Sequence, residues 1–212
     1  MKKNQKDSQS YINDLADIRS MMERSSKFMS LSGWAGAVAG LYALTAVAIT
    51  YFYFGVNPTR LMYTSESDPA FIASLPGVVV IGIITMFLAI GKAIAFSYKH
   101  SAKKGEKVWN AASRQLAINM AGPLLTGASL IIILMSMGLF GLVAPLTLIF
   151  YGLALFHAGR FTFDDVKFLG IIQILLGLVA ARYLEYSLLI WTIGFGVVHI
   201  VYGTYMYYRY ER

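Results

Sequence analysis

Six long apolar segments, joined by short polar connections that carry most of the charge, constrain this chain more than any other feature. They cover approximately residues 31–54, 75–96, 116–137, 142–157, 166–182 and 188–207. A helix that crosses a bilayer needs about 17–25 mostly apolar residues, and most of the segments meet this requirement. Only 14% of the residues are charged, whereas a soluble domain carries roughly 25%. We therefore expect an all-α polytopic membrane protein.

The number of spans depends on how the middle of the chain is interpreted. Only "GLFG" separates the third segment from the fourth, and a single bent element there would give five spans. Basic residues favour six, because cytoplasmic connections are enriched in Lys and Arg. With the N-terminus inside, fifteen of the 18 Lys and Arg residues lie on the cytoplasmic side. We therefore predict a single six-helix transmembrane domain over residues 28–212, in a bacterial inner membrane with both termini cytoplasmic.

The first 27 residues are polar and form a separate cytoplasmic segment. Tyr11, Leu15, Ile18 and Met22 recur at spacings of four, three and four, which is one face of a helix. We predict an amphipathic helix here, either on the membrane surface or against a partner. The net charge of +7 follows from the topology and predicts attraction to anionic headgroups, so we expect no nucleic-acid partner.

Small residues repeat at helical spacing in several of the segments. Ser32, Gly36 and Gly40 occur at every fourth position of "SLSGWAGAVAGLYAL". This stretch lacks the strand and the G-x-x-x-x-G-K-[ST] pattern of a phosphate-binding loop. Small residues on one stripe instead allow helices to approach closely in lipid. We predict that the fifth helix, the sixth helix or a second copy of the first fills this groove, and that the other packing residues are Gly170, Gly177, Gly196 and Gly203.

Polar side chains within the spans raise functional hypotheses, because such groups are costly in a bilayer. Gln173 and His199 each lie about 10–12 Å from the inner edge by helical rise, so we expect them to be neighbours. They form either a structural clamp or a proton-responsive or ligand-binding centre. Lys92, Asn119 and Tyr202 complete the predicted polar cluster, although Lys92 can instead extend to the headgroups or pair with Asp164 or Asp165.

Other chemistries lack the residues they need. The chain has no cysteine, and His157 and His199 differ in depth by roughly 10 Å, so we expect no metal site and no cofactor. No Ser or Thr has a nearby histidine and carboxylate in sequence that would suggest nucleophilic catalysis. His157 and Arg160 lie at the inner interface, where they could serve a membrane enzyme that acts on lipid.

The stretches "IRSMMERSSKFMSLSGWAGAVAGLYAL" and "GFGVVHIVYGTYMYYRYER" resemble small multi-pass bacterial membrane proteins that carry no assigned function. The resemblance implies topology and no chemistry. We expect a non-enzymatic membrane protein, sensing, regulatory or structural, that acts through partners. The expected partners are the lipid bilayer, a cytosolic protein and further copies of the chain. The alternative is a small oligomeric transporter or channel with an inner-half polar cavity around His199 and Gln173.

Overall fold

A computed structural model of the protein describes residues 32–57, 69–104 and 109–212. The amphipathic helix predicted over residues 1–27 lies outside these ranges. The described residues are helical, with short connections and no strand. The main helices are α1 (Gly33–Phe54), α2 (Pro69–Lys104), α3 (Ala111–Ser136), α4 (Val143–Ala158), α5 (Asp165–Arg182) and α6 (Leu184–Tyr210).

Five of these six helices are long and apolar enough to cross a membrane, with α4 counted together with the 3₁₀ turn that precedes it, as Phe140–Ala158. The exception is α5, which has 18 residues and carries Asp165, Lys167 and Arg182 near its ends. The uncharged stretch between Lys167 and Arg182 would extend only about 21 Å at 1.5 Å per residue, against a hydrocarbon core of about 30 Å. The all-helical architecture is therefore confirmed for the described residues, five helices have the length and apolarity of membrane spans, and the six-span topology remains a prediction.

The third and fourth apolar segments form two separate helices, so the single bent element is not observed. After α3 ends, Gly138 adopts a φ of 79°, a left-handed conformation that favours glycine because it has no Cβ. A short 3₁₀ turn, Phe140–Leu142, then leads into α4. The chain reverses at this turn, and α3 packs along α4.

The helices lie in a definite lateral order. α1 packs between α2 and α6, α6 also contacts α4 and α5, and α4 packs against both α3 and α5. The two edge helices, α2 and α3, therefore each have one extensively packed neighbour among the described helices. None of residues 75–96 of α2 is buried, and Gly127 is the one buried residue between 114 and 136 of α3.

The small-residue stripe of α1 packs against α6. A Cβ added to Gly36 would lie 3.3 Å from the Cα of Gly203, and one added to Gly40 would lie 2.6 Å from the carbonyl oxygen of Gly196. The backbones of the two helices are therefore in close contact, and glycine is required to allow it. Of the three occupants predicted for the groove, the structure places the sixth helix there.

The glycines of α5 pack against α4. A Cβ on Gly170 would meet the carbonyl oxygen of Gly152 at 2.7 Å, and one on Gly177 would meet that of Pro145 at 2.9 Å. Both positions therefore face α4, which makes the most extensive helix pair with α5. Gly170 and Gly177 are packing residues, but their neighbour is α4 and not α6.

The start of α1, the start of α5 and the end of α6 meet at one end of the bundle, which we call the Gly33 end. Glu211, just beyond α6, accepts hydrogen bonds from the Gly33 backbone N–H and from the Ser32 hydroxyl, the latter at 3.2 Å. At the start of α5, Asp165 pairs with Arg209 at 3.3 Å and accepts a hydrogen bond from Tyr210 at 2.6 Å. A carboxylate at the N-terminus of α1 is favourable because the helix dipole is positive there.

Candidate functional site

The most polar part of the bundle interior lies where α4, α5 and α6 meet. It consists of Tyr151, Gln173, Gly194 and His199, which we call the polar centre. Gln173 is fully buried, and His199 is 4% exposed. Burial of this extent favours partners within the protein, because apolar surroundings offer none.

A π-helical segment in α6, Thr192–Val198, shapes the polar centre. Such segments widen the helix and interrupt its regular hydrogen-bond pattern. The carbonyl oxygen of Gly194 within this segment accepts a bond from the Gln173 amide at 2.8 Å and is bonded to His199 Nδ1 at 2.9 Å. Gln173 on α5 is thereby bonded to the α6 backbone at the same oxygen to which His199 is bonded.

Tyr151 connects the third helix to the polar centre. Its hydroxyl lies 3.0 Å from His199 Nε2, so α4 and α6 share a direct side-chain hydrogen bond. A second bond between the same helices runs from the indole N–H of Trp191 to the Thr147 hydroxyl, at 3.0 Å. Thr147 and Tyr151 are four residues apart and therefore lie on one face of α4.

The hydrogen-bond pattern defines the histidine tautomer. The Gly194 carbonyl can only accept, so His199 Nδ1 carries a proton and donates it to that oxygen. In the neutral imidazole Nε2 is then the acceptor, and the Tyr151 hydroxyl donates to it. The amide nitrogen of Gln173 lies 3.4 Å from His199 Nδ1, and because both are donors this approach adds packing and no hydrogen bond. The bonds at the imidazole thus go only to neutral groups.

Aromatic rings extend the polar centre along α6. The Phe195 ring stacks on the imidazole of His199 with an interplanar angle of 10° and a centroid distance of 5.5 Å. Trp191 packs on the other side of Phe195 at 4.8 Å, and Tyr151 packs against Phe195 at 5.0 Å. The imidazole is therefore held by both hydrogen bonds and ring contacts.

Two polar atoms in or beside the polar centre have no hydrogen-bond partner. They are the amide oxygen of Gln173 and the hydroxyl of Tyr202, both buried. A Cβ on Gly194 would lie 2.8 Å from the Gln173 oxygen, so the absent side chain at this glycine makes room for the amide. Tyr202, like Tyr151, packs against the buried apolar cluster formed by residues of α4, α5 and α6.

The chemistry of the polar centre is restricted by its composition. It combines a phenol, an amide, an imidazole and a backbone carbonyl, and it contains neither a carboxylate nor an aliphatic hydroxyl at the imidazole. Among the residues that the structure describes, no group of three His, Cys, Asp or Glu side chains could hold a metal ion. The arrangement can bind helices together and can hold a proton, but it lacks the nucleophile of hydrolytic catalysis.

The other residues of the predicted cluster lie elsewhere. Lys92 is exposed on α2, whose extensively packed neighbour is α1, and it therefore reaches neither the polar centre nor Asp164 or Asp165. Those carboxylates pair with Lys167 and Arg209. Placing Lys92 in the cluster was wrong, since depth alone does not bring two helices together.

Asn119 is likewise separate, because its amide donates to the Gln115 carbonyl of its own helix at 2.8 Å. His157 and Arg160 are both exposed, at the end of α4 and in the turn that follows it. Neither belongs to the buried hydrogen-bond network. Of the five predicted members, Gln173 and His199 lie in the polar centre and Tyr202 lies beside it.

Sequence reasoning missed Tyr151 and Gly194. The signal for Tyr151 was available, since it is a phenol in the middle of an apolar segment and lies four residues from Thr147. The hydrogen bond from the indole N–H of Trp191 to Thr147 was not expected from the sequence either. No sequence pattern marked Gly194, because its role depends on the π-helical segment.

Comparison of the chain with models of known protein families, with curated proteins and with solved structures finds no match. Its function is therefore argued from its own residues.

Proposed function

We propose that the chain is a non-enzymatic integral membrane protein that acts through partners. In this proposal it has six transmembrane helices, lies in the inner membrane of a bacterium and keeps both termini in the cytoplasm. The observation that carries the proposal is the polar centre, in which a buried imidazole is bonded on both sides to neutral groups of the bundle itself. Such a centre supports a structural clamp more strongly than a substrate site.

The edge helices support a role in association. α2 and α3 lie at opposite ends of the lateral order, and each leaves most of its apolar surface without a protein neighbour among the described helices. Examples are Phe87 on α2 and Leu125 on α3, which are 65% and 67% exposed. In a bilayer these faces contact either lipid or other membrane helices, so they are the surfaces on which a partner would dock.

The topology can be tested by single-cysteine labelling, which has no background because the chain lacks cysteine. Trp109→Cys lies between α2 and α3, and Tyr183→Cys lies between α5 and α6; both positions are exposed. We expect a membrane-impermeant maleimide added to whole cells to label Tyr183→Cys and to leave Trp109→Cys unlabelled until the membrane is opened. Labelling of both on the same side would overturn the six-span topology.

The partner role can be tested by photo-crosslinking in cells. A photoreactive amino acid at Phe87 and, separately, at Leu125 samples the two edge helices. We expect at least one position to give a protein adduct of constant mass, either twice 23.4 kDa for a second copy or another fixed value for a different protein. Adducts with lipid alone at both positions would contradict the proposal.

A small transporter or channel is the second candidate, and a specific observation favours it. The Gln173 amide oxygen and the Tyr202 hydroxyl are buried without partners, and unsatisfied polar atoms at membrane depth are typical of a substrate or proton path. The test is flux in proteoliposomes for wild type and for Gln173→Leu. A flux that the substitution abolishes would establish transport and would displace the partner role.

A further inference from the structure

The α2 helix carries positive charge on its exposed side, away from the polar centre. Lys92 and Lys99 are both exposed, and they are seven residues apart. Seven residues correspond to nearly two full turns, so the two side chains project within about 20° of each other and about 10 Å apart along the axis. They therefore form one short column of cations on one face of the helix, which we call the α2 lysine pair.

The two lysines lie at different depths. Gly77, near the start of α2, packs on the Phe54 ring at the end of α1. Lys92 is about 22 Å farther along α2 at 1.5 Å per residue. Lys92 therefore still lies alongside α1, about 10 Å before Lys99 along the axis of α2. Lys99 lies close to the Gly33 end, where Trp34 and Tyr207 pack at a ring distance of 5.3 Å. Tyrosine and tryptophan are typical of the headgroup region.

The described part of the chain provides no anion for this pair. Asp164 is bonded to Lys167, Asp165 to Arg209, and Glu211 to the N-terminus of α1. Glu185 lies in the first turn of α6, at the opposite end of the bundle. A lysine at the depth of Lys92 is costly in hydrocarbon unless its ammonium reaches water or an anion. Its side chain is long enough to extend towards Lys99.

Small residues flank Lys92 on its exposed side, and Phe96, half-buried, lies between the two lysines. A Cβ added to Gly91 would meet no atom within 4 Å, and Ala95, which lies between the lysines, is exposed. No bulky side chain at these two positions blocks access to the ammonium groups from the lipid side. An anion near the two ammonium groups would offset this cost, and one that is itself anchored in lipid can reach them from the apolar side.

From these observations we infer that the α2 lysine pair is a binding site for an anionic phospholipid, whose phosphate lies between the two ammonium groups while its acyl chains lie along α2. The inference rests on the proposed membrane insertion, and it is independent of the partner role. A carboxylate on another transmembrane helix would not fit equally well, because Lys99 lies at the headgroup level, where phosphates are concentrated.

Native mass spectrometry of the purified full chain in detergent tests this inference. Phosphatidylglycerol and phosphatidylcholine are titrated separately, and the number of bound lipids is counted. We expect one phosphatidylglycerol to bind more tightly than phosphatidylcholine. Lys92→Gln or Lys99→Gln should each weaken that binding about fivefold, and the double variant about 25-fold.

Two control variants keep the test specific. Arg114→Gln removes an exposed cation from α3, at the other edge of the bundle, and should leave phosphatidylglycerol binding unchanged. Lys92→Arg keeps the charge and should bind as wild type does. A thermal unfolding curve for each variant shows whether the fold is retained.

Three outcomes would overturn the inference. The double variant could bind phosphatidylglycerol as tightly as wild type, or Arg114→Gln could lose as much affinity as the double variant does. In the third outcome, soluble glycerol phosphate displaces the lipid at equal concentration, which would assign the site to free phosphate. None of these outcomes depends on whether a protein partner binds the edge helices.

Discussion

Replacing Tyr151 by Phe removes one oxygen atom and tests the hydrogen bond between α4 and α6. In the native protein the Tyr151 hydroxyl donates to His199 Nε2 at 3.0 Å. The substitution keeps the ring that packs on Phe195, but it leaves Nε2 buried without a donor. Hydrogen bonds between membrane helices average about 0.6 kcal/mol and reach about 1.7 kcal/mol. We expect Tyr151→Phe to lower the free energy of unfolding by an amount in this range.

A double-mutant cycle that combines Tyr151→Phe with His199→Leu separates the energy of this hydrogen bond from the other effects of each substitution. Each single change leaves one buried polar atom unpaired, the phenol in one variant and the imidazole nitrogen in the other, whereas the double variant removes both. The double variant should therefore lose less stability than the two single variants together, with a coupling of about 0.6–1.7 kcal/mol.

Reversible unfolding in mixed micelles, followed by circular dichroism, measures these differences. Tyr53→Phe is the matched control, because it removes the same atom from a side chain that is 82% exposed, and it should not change stability. If Tyr151→Phe is as stable as wild type, or if the two single effects simply add, the hydrogen bond does not stabilise the bundle and the clamp is refuted.

Two further substitutions test other parts of the fold by the same unfolding assay. Gly203→Leu should destabilise the bundle by about 1–3 kcal/mol, because a Cβ there meets the backbone of α1. The control is Gly82→Leu, which should leave stability unchanged because Gly82 has open space around it. Equal effects of the two substitutions would exclude close α1–α6 packing. Glu211→Ala should cost about 0.5–2 kcal/mol, as loss of a helix cap does, whereas Glu185→Ala at the opposite end should be neutral. A neutral Glu211→Ala would show that this carboxylate does not stabilise the start of α1.

Helix positions and one contact could be predicted from the sequence because lipid enforces simple rules. Apolar length located the helices, and helical rise placed Gln173 and His199 at similar depth. Their side chains do meet at 3.4 Å. The groove around Gly36 was also predictable, since small residues every fourth position have few uses other than close packing.

The lateral order of the helices could not be predicted, and most errors follow from that. Lys92 was grouped with His199 because both were expected in the inner half of the membrane, yet α1 lies between α2 and α6. Gly170 was predicted to be a packing residue, but the sequence did not indicate that it faces α4. Both predictions required knowledge of which helices are adjacent. The pattern of apolar residues does not show which helices are neighbours, because a face that contacts lipid and a face that contacts another helix are equally apolar.

The hydrogen-bonding geometry at Gly194 was equally inaccessible from the sequence. It depends on a π-helical segment over Thr192–Val198, which shifts the register of α6 by a fraction of a turn. An ideal helix places Gly196 and His199 on one stripe. In the structure the carbonyl of Gly194 lies beside the imidazole, and Gly196 faces α1.

Water accessibility at Gln173 tests the central claim, that the polar centre is a closed clamp and not a cavity open to the cytoplasm. Gln173→Cys is made in this naturally cysteine-free chain and treated with a small, membrane-permeant, water-soluble maleimide, with the exposed Trp109→Cys as the positive control. The account predicts that the cysteine at position 173 stays unlabelled in the folded protein and reacts after denaturation. Labelling of the folded protein as fast as the control would contradict it.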